Sequence, residues 1–423
     1  MKCLFLAGNN NQARIMSRVA SRLRGLDRSW TVAALTLEPY VLEDAPSVLN
    51  ETDVPFTSLA DYPGKRPVGI LQELAPDVLV VGHDNTTITR PFVEAAKYLG
   101  ISSVLVQDGV IGRASFSVRT GIAKIPGYLS QLTIWQRNYR FLWASLRDTG
   151  YSLQGTVIFV IKDLFTKLAY GSPYGRGGCT RIAVFGDYFR ELFIRHGVPA
   201  ERIVVTGQPM MDTILTCNED KAMVRRKLGL PLDKTIVLLL TTATVEYNLW
   251  RPGQRRYFIA QVLKAFAGLP EHQLAIKLHP REKVEDYQKL VQKLGFEVPI
   301  YRDVNLYEIL NAADAAITTY STTGLDALIL KKPLIVFDLF SKVEPVPYVG
   351  SGAALGVYKP QDLRAAVMTV FNDDETKKRL KSASSDFVYH YAYKLDGKAA
   401  ERVAELIVEV SQENSVRRDS LSA

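Results

Sequence analysis

Residues 314–338, DAAITTYSTTGLDALILKKPLIVFD, decide the reading of this chain. DAAITTY is a short apolar run, the pattern of a strand covered on both faces. The hydroxyl-rich turn Ser321-Thr322-Thr323-Gly324 follows, then a helix opening on Leu325-Asp326, then a second apolar strand, PLIVFD. A strand that delivers small polar residues to a helix N-terminus suits an anion, because the first N–H groups and the positive end of the helix dipole face it. Gly324 would let a phosphate approach the backbone, and Asp326, one turn inside, would accept hydrogen bonds from a ribose. The same residues also suit a plain N-cap before a core helix. The rest of the chain has to separate the two.

On either side the same alternation recurs. KCLFLA, WTVAALTL, DVLVVG, SSVLVQ, RIAVFG and RIVVTG read as strands in the first half, with helical stretches such as Gln12–Leu26, Arg90–Leu99 and Tyr188–His196 between them. TIVLLLTT, QLAIKLHP, DAAITTY and PLIVFD form a second set, with helical patterns at 254–268, 283–294, 322–330 and 360–371. Gly8, Gly82, Asp108-Gly109, Gly186 and Gly207 fall just after strands, where open α/β sheets bind ligands. The pattern predicts an α/β protein of two Rossmann-like domains facing a cleft. The two domains span residues 1–215 and 216–385. Helices in 386–412 cross back, and 413–423 is a disordered tail.

Length and composition agree with two full cores: 423 residues, 47% hydrophobic and 23% charged. Three widely spaced cysteines, Cys3, Cys179 and Cys217, suggest neither a disulfide framework nor a zinc site and fit a reducing cytoplasm. The apolar run at the N-terminus is too short for a signal peptide, and no stretch reaches the roughly 18–20 apolar residues of a spanning helix.

The net charge of +8 is unevenly placed. Between residues 112 and 178 nine basic residues (Arg113, Arg119, Lys124, Arg137, Arg140, Arg147, Lys162, Lys167, Arg176) face two acidic ones, Asp148 and Asp163, a net of +7. Eight aromatic residues from Trp135 to Tyr170 share the segment. This insert lacks strand–helix alternation and reads as a helical hairpin over one domain edge or as an element lying on a membrane surface, where Trp, Tyr and Lys/Arg beside an apolar face suit the headgroup layer. Basic charge with aromatics also suits nucleic acid, but no nucleic-acid motif accompanies it, so nucleic acid is not an expected partner.

Candidate chemistry sits at strand ends. AIKLHPRE, residues 275–282, ends a strand in His279, with Pro280 stiffening its exit and Arg281 beside it. His279 could donate to a diphosphate oxygen or act as an acid toward a phosphate leaving group. SVLVQDGVIGR, residues 103–113, brings Asp108 to the end of a first-half strand, where it would deprotonate an acceptor hydroxyl or cap a turn. The loop Gly8–Gln12 would hold part of an acceptor or act as a turn, and His83-Asp84 is a weaker candidate of the same kind. Thr241, Thr242 and Thr244 would add hydroxyls around a phosphate. RIVVTGQPMMDTI, residues 202–214, reads as an interdomain segment shaped by Gly207 and Pro209. No Asp-x-Asp pair or His/Cys cluster has metal-ligand spacing, and there is no GxSxG elbow or GKS/GKT phosphate loop.

KLHP, TTYSTTGLDALILKKPLIVFD and DGKAAERVAELI (396–407) resemble the C-terminal half of the CDP-glycerol glycerophosphotransferases, the teichoic-acid polymerases. RIVVTGQPMMDTI is similar to the interdomain segment of those proteins and of UDP-N-acetylglucosamine 2-epimerases. The resemblance covers roughly residues 180–410 and implies the two-domain GT-B architecture. It places His279, Ser321, Thr322 and Asp326 on the family's nucleotide-diphosphate contacts. Gln107-Asp108-Gly109 falls where relatives carry a His-Gly pair proposed as the base, so Asp stands in for His here. The turn is Ser-Thr-Thr where the polymerases favour Ser-Ser.

These readings combine into an expected cytoplasmic transferase, peripheral on the inner face of the cell membrane through 112–178. It would move a glycosyl or polyol-phosphate group from a nucleotide-diphosphate donor to a lipid-linked glycan, without metal or other cofactor. Asp108 and His279 would do the chemistry, and Ser321, Thr322, Thr323, Gly324, Asp326, Arg281 and Thr242 would hold the donor. The alternatives are an epimerase of the UDP-N-acetylglucosamine type and a non-catalytic nucleotide-sugar-binding subunit of an envelope assembly.

Overall fold

A computed structural model describes the chain except for residues 39, 41–44, 110–131, 171–173, 217–218, 341–343, 345 and 423. Arg113, Arg119 and Lys124 of the basic segment, and Cys217, therefore lie outside the described residues. The chain divides into two compact units, Met1–Thr213 with Tyr391–Ala423, and Ile214–His390.

The first unit is built on β1 (Lys2–Ala7), β2 (Thr31–Thr36), β3 (Phe56–Ser58), β4 (Val78–Val81), β5 (Ser102–Val106), β6 (Arg181–Val184) and β7 (Ile203–Val205). They form one sheet in the order β3-β2-β1-β4-β5-β6-β7, and each pairing is parallel. Its helices are α1 (Asn10–Leu26), α2 (Ala45–Leu49), α3 (Pro67–Leu74), α4 (Thr89–Tyr98), α5 (Leu132–Asp148), α6 (Leu153–Tyr170) and α7 (Asp187–Arg195).

The second unit holds α8 (Lys221–Lys227), β8 (Thr235–Leu240), α9 (Pro252–Phe266), β9 (His272–Lys277), α10 (Val284–Lys293), β10 (Ile300–Tyr301), α11 (Leu306–Ala312), β11 (Ala315–Thr318), α12 (Thr323–Ile329), β12 (Leu334–Phe337), β13 (Leu355–Val357), α13 (Leu363–Asn372) and α14 (Asp374–Ala392). Its sheet runs β10-β9-β8-β11-β12-β13, again parallel. In both sheets the strand order reverses beside the first strand, between β1 and β4 and between β8 and β11. Crevices at that reversal are where doubly wound folds bind ligands.

The central strands are buried on both faces, which explains their unbroken apolar runs; β4 and β12 have no exposed residue. Helix α1 buries Ile15, Met16, Val19 and Leu23 at helical spacing, and α15 (Ala399–Ser422) covers them with Val403, Ile407 and Val410. Each such side chain contributes about 1.5–3 kcal/mol by leaving water. Helix α15 runs through residues 413–422, the stretch whose composition pointed to a tail.

The described part of the insert is a hairpin. Leu142 and Leu146 of α5 are buried and the helix packs on α4. Helix α6 is tied to α5 by Asp163, which accepts from Tyr139 Oη (3.0 Å) and Lys167 Nζ (2.7 Å) in a buried cluster. The outer side of α6 leaves Leu153, Ile161 and Phe165 exposed at 62%, 62% and 70%, with Val157, Ile158 and Leu164 on the same face. No helix among the described residues is long and apolar enough to cross a membrane.

Candidate functional site

In the second unit the reversal point gathers hydroxyls and one imidazole. Thr241 and Thr242 follow β8, Thr319 and Ser321 follow β11, and His279 follows β9 on the far side of β8. Thr242 and Thr319 hydroxyls lie 3.2 Å apart. His279 N donates to Thr241 Oγ1 and to Glu282 Oε2, both at 3.0 Å. The turn closes through Glu282 N donating to His279 O at 2.9 Å, with Pro280 at the second position, where its fixed φ suits a turn.

Glu282 is the organiser the sequence reading missed. It is fully buried and accepts from the Thr241 hydroxyl, from Tyr287 Oη (2.5 Å) and from His279 N, with Arg255 3.8 Å away. Its place three residues after a strand-end His, across a Pro turn, was the signal available in the sequence. Arg255 also pairs with Glu246 at 2.6 Å. A cavity of about 10 Å³ lies among Thr241, Thr242, Thr244, Arg255, Tyr287 and Thr319. That is the room one water needs, too little for a phosphate; His279, Thr242 and Thr323 are half-buried.

The turn at 321–324 differs from expectation in one respect. Its first N–H groups are not free for an anion: Thr323 N donates to Ser321 Oγ (3.3 Å), Gly324 N to Ser321 O (3.0 Å) and Leu325 N to Thr322 O (3.0 Å). A hydroxyl followed by a tight turn satisfies them locally. Thr323 Oγ1 also donates to Ser321 Oγ at 2.9 Å, while Thr322 is exposed and makes no cap bond. The space a Cβ on Gly324 would need is filled by Tyr348, whose ring lies 3.0 Å from that position and whose hydroxyl donates to Ser321 O. A side chain at position 324 would have to push the Tyr348 ring aside by a few tenths of an ångström. The Asp326 carboxylate has no hydrogen-bond or ion-pair partner among the described residues, and desolvation pushes its pKa up to about 7. Arg281 is exposed, with its guanidinium 5.1 Å over the Tyr247 ring.

The first unit gathers a different set at the ends of β1, β4 and β5. Asn9 caps α1 by accepting from Gln12 N, and Gly8 N donates to Gln12 Oε1, both at 2.8 Å. Gln12 Nε2 then donates to Asp108 Oδ2 at 2.7 Å. Gly82 is needed for this crossing, since a Cβ there would sit 2.4 Å from Gln12. Tyr174 Oη accepts from Asp108 N at 3.2 Å, lies 3.4 Å from Asp108 Oδ1 and donates to Gly82 O. Burial raises the Asp108 pKa, opposed by the Gln12 and Asn9 bonds. Tyr174 lies 66 residues downstream of Asp108, so sequence spacing could not reveal it. Asp84 is a clamp here: its carboxylate, wholly buried, accepts from Gly175 N (2.9 Å) and Gly177 N (2.6 Å). Among the described residues no group of three His, Cys, Asp or Glu side chains is placed to hold a metal ion.

Two parallel sheets of this order, each with polar groups at its strand reversal, define a GT-B-like pair of Rossmann folds. The structure is similar to UDP-GlcNAc 2-epimerase from Neisseria meningitidis bound to UDP-GlcNAc (TM-score 0.57, 14% identity, 97% of this chain and 100% of that one). It is also similar to the wall teichoic acid polymerase TagF soaked with CDPG (TM-score 0.54, 15% identity, 97% and 89%). The sequence model described as CDP-Glycerol:Poly(glycerophosphate) glycerophosphotransferase matches residues 187–409, over half of the chain, and the chain belongs to that family. Among curated relatives, the lipid-A-disaccharide synthase of Dechloromonas aromatica (strain RCB) is 25% identical over 248 residues, 49% of this chain and 59% of that protein. The teichoic acid poly(ribitol-phosphate) polymerase of Bacillus spizizenii (strain ATCC 23059 / NRRL B-14472 / W23) is 24% identical over 259 residues, 58% of this chain and 40% of the polymerase. The chain thus spans only part of the length of these relatives.

Proposed function

We propose that the chain transfers a polyol-phosphate group, glycerophosphate in the first instance, from a nucleotide-diphosphate donor to a lipid-linked glycan in cell-surface polymer synthesis. The observation that carries the reading is the set His279, Thr242, Thr319 and Ser321 at the strand reversal of the second sheet, inside the family-matched stretch. In this reading the second unit holds the donor through His279, Thr242, Ser321, Thr322, Thr323 and Arg281, with Asp326 toward the ribose. Those groups stabilise the negative charge that moves to the leaving nucleotide. The first unit supplies Asp108, which takes the acceptor hydroxyl proton. Its oxygens are oriented by Gln12 and Tyr174, and its raised pKa makes it a stronger base than a solvated Asp. The scheme assigns no step to a metal, so chelation with EDTA should leave turnover unchanged.

A second reading, transfer of a glycosyl group to a lipid-linked sugar, is favoured by the similarity to lipid-A-disaccharide synthases. The two separate on the donor. Incubation with CDP-glycerol and a glycan acceptor should release CMP, whereas a glycosyl donor should release a nucleoside diphosphate. Asp108→Asn keeps the shape and removes the base, so turnover should fall by about 10²–10⁴-fold with donor binding retained. Unchanged turnover in that variant would remove Asp108 from the mechanism.

A further inference from the structure

We propose that His279 works as a neutral imidazole that donates from Nε2 to an oxygen of the departing phosphate, and that it never delivers a proton to it. The inference rests on the donor-site reading above and decides between the two roles a strand-end histidine could take there.

A backbone N–H can only donate, and Arg281 N donates to His279 Nδ1 at 3.1 Å. Nδ1 is thereby the acceptor of the ring, which leaves the single proton of the neutral form on Nε2. Forming the imidazolium would place a second proton on Nδ1, break this bond and set two protons against each other. The bond is built into the turn. Pro280 offers no N–H of its own, Glu282 N closes the turn on His279 O, and His279 N is held by Thr241 and Glu282. The backbone on both sides of the ring is thus fixed, and a ring flip would cost the Arg281 N bond to Nδ1.

The charged neighbours come from three directions. Lys277 on β9 and Arg281 in the turn disfavour an added positive charge, while Glu282 in the turn and Glu246 after β8 favour it. Desolvation is larger than any of these and lowers the pKa. The Tyr247 ring meets the imidazole edge-on, 5.8 Å between centroids, and brings no charge. The first sheet repeats the device. Asn85 N donates to His83 Nδ1 at 3.1 Å just after β4, and there burial drives the pKa down to about 3.

The chemistry needs no more than a donor. The acceptor oxygen attacks the phosphorus that carries the polyol, its proton passes to Asp108, and a new O–P bond forms. The bond from that phosphorus to the bridging oxygen breaks, and the electron pair stays on the leaving nucleoside monophosphate. A phosphate monoester has its second pKa near ~6, so at neutral pH it leaves without a proton. A fixed N–H donor stabilises the charge as it develops and stays ready at any pH where the ring is neutral.

The test is ¹H–¹⁵N spectroscopy of the full chain labelled in histidine, which has five such residues, with His279→Gln identifying the signal. The expected spectrum shows His279 protonated on Nε2 only, with a titration midpoint below the ordinary value of about 6.5. An Nδ1–H pattern, or a midpoint at or above that value, overturns the proposal. This readout needs no substrate, so it can fail while the donor-site reading stands, and the donor reading can fail in a nucleotide-binding assay while the tautomer stands. In turnover, His279→Ala should lose about 10²–10³-fold. His279→Gln, whose amide donates but does not titrate, should recover at least about tenfold of that loss. Equal losses in the two variants count against it.

Discussion

Glu282 governs the turn after β9 more than His279 does. One buried carboxylate fixes the Thr241 hydroxyl, the Tyr287 hydroxyl and the His279 amide. Asp326 is its opposite: half-buried, with no partner for its carboxylate among the described residues, and with its pKa pushed up to about 7 by desolvation. Its folded pKa exceeds the unfolded value of about 3.9. The native state therefore holds the proton that the unfolded state has released, and stability falls as pH rises from about 4 through 7. Asp326→Asn removes the penalty. Its Tm should match the parent at pH 4 and exceed it increasingly up to pH 8. A Tm difference that does not change with pH would show that Asp326 is solvated. The sequence placed Asp326 one turn into its helix. It could not show that nothing charged would face it, because that depends on Tyr348, 22 residues away.

At the scale of elements, the strands that were legible are the ones buried on both faces. Their β-branched runs have few other readings, and β1, β4, β8 and β12 fall inside the predicted stretches. β3, β10 and β13 were not legible: two or three residues at or near a sheet edge carry no readable period. A helical hairpin was one of two readings of the insert, but what joins α5 to α6 was not legible: the Tyr139 hydroxyl of α5 donates to Asp163 of α6, which also pairs with Lys167 one turn on. Lys167 and Asp163 side chains are 5% and 7% exposed, and Tyr139 completes the cluster. Removing one partner of a buried pair leaves the other uncompensated, so Asp163→Ala should destabilise the protein by about 3–5 kcal/mol. Denaturant unfolding checks this. A loss below about 1 kcal/mol would mean the pair behaves as a surface bridge. The same packing explains why Arg137, stacked 4.8 Å over Tyr40, and Arg147, bonded to Tyr151 O, are structural.

Among the described residues, α6 presents an apolar face at the surface. Leu153, Ile161 and Phe165 on α6 stand in the segment that holds nearly all of the excess positive charge. An apolar helix face beside basic residues fits anionic lipid. The chain should sediment with phosphatidylglycerol vesicles, and the double substitution Ile161→Glu, Phe165→Glu should abolish this while leaving Tm unchanged. Binding that survives both substitutions would refute the membrane role of this face.

In the proposed function the second unit binds a nucleotide-diphosphate donor at His279 and its neighbouring hydroxyls. Calorimetric titration of the full chain with CDP-glycerol, and with CDP and UDP for comparison, tests it most directly. Saturable one-to-one binding of at least one of them is expected, weakened about tenfold or more by His279→Ala, the loss of one charge-assisted hydrogen bond. No heat from any of the three at millimolar concentration, or identical binding in the variant, would contradict it.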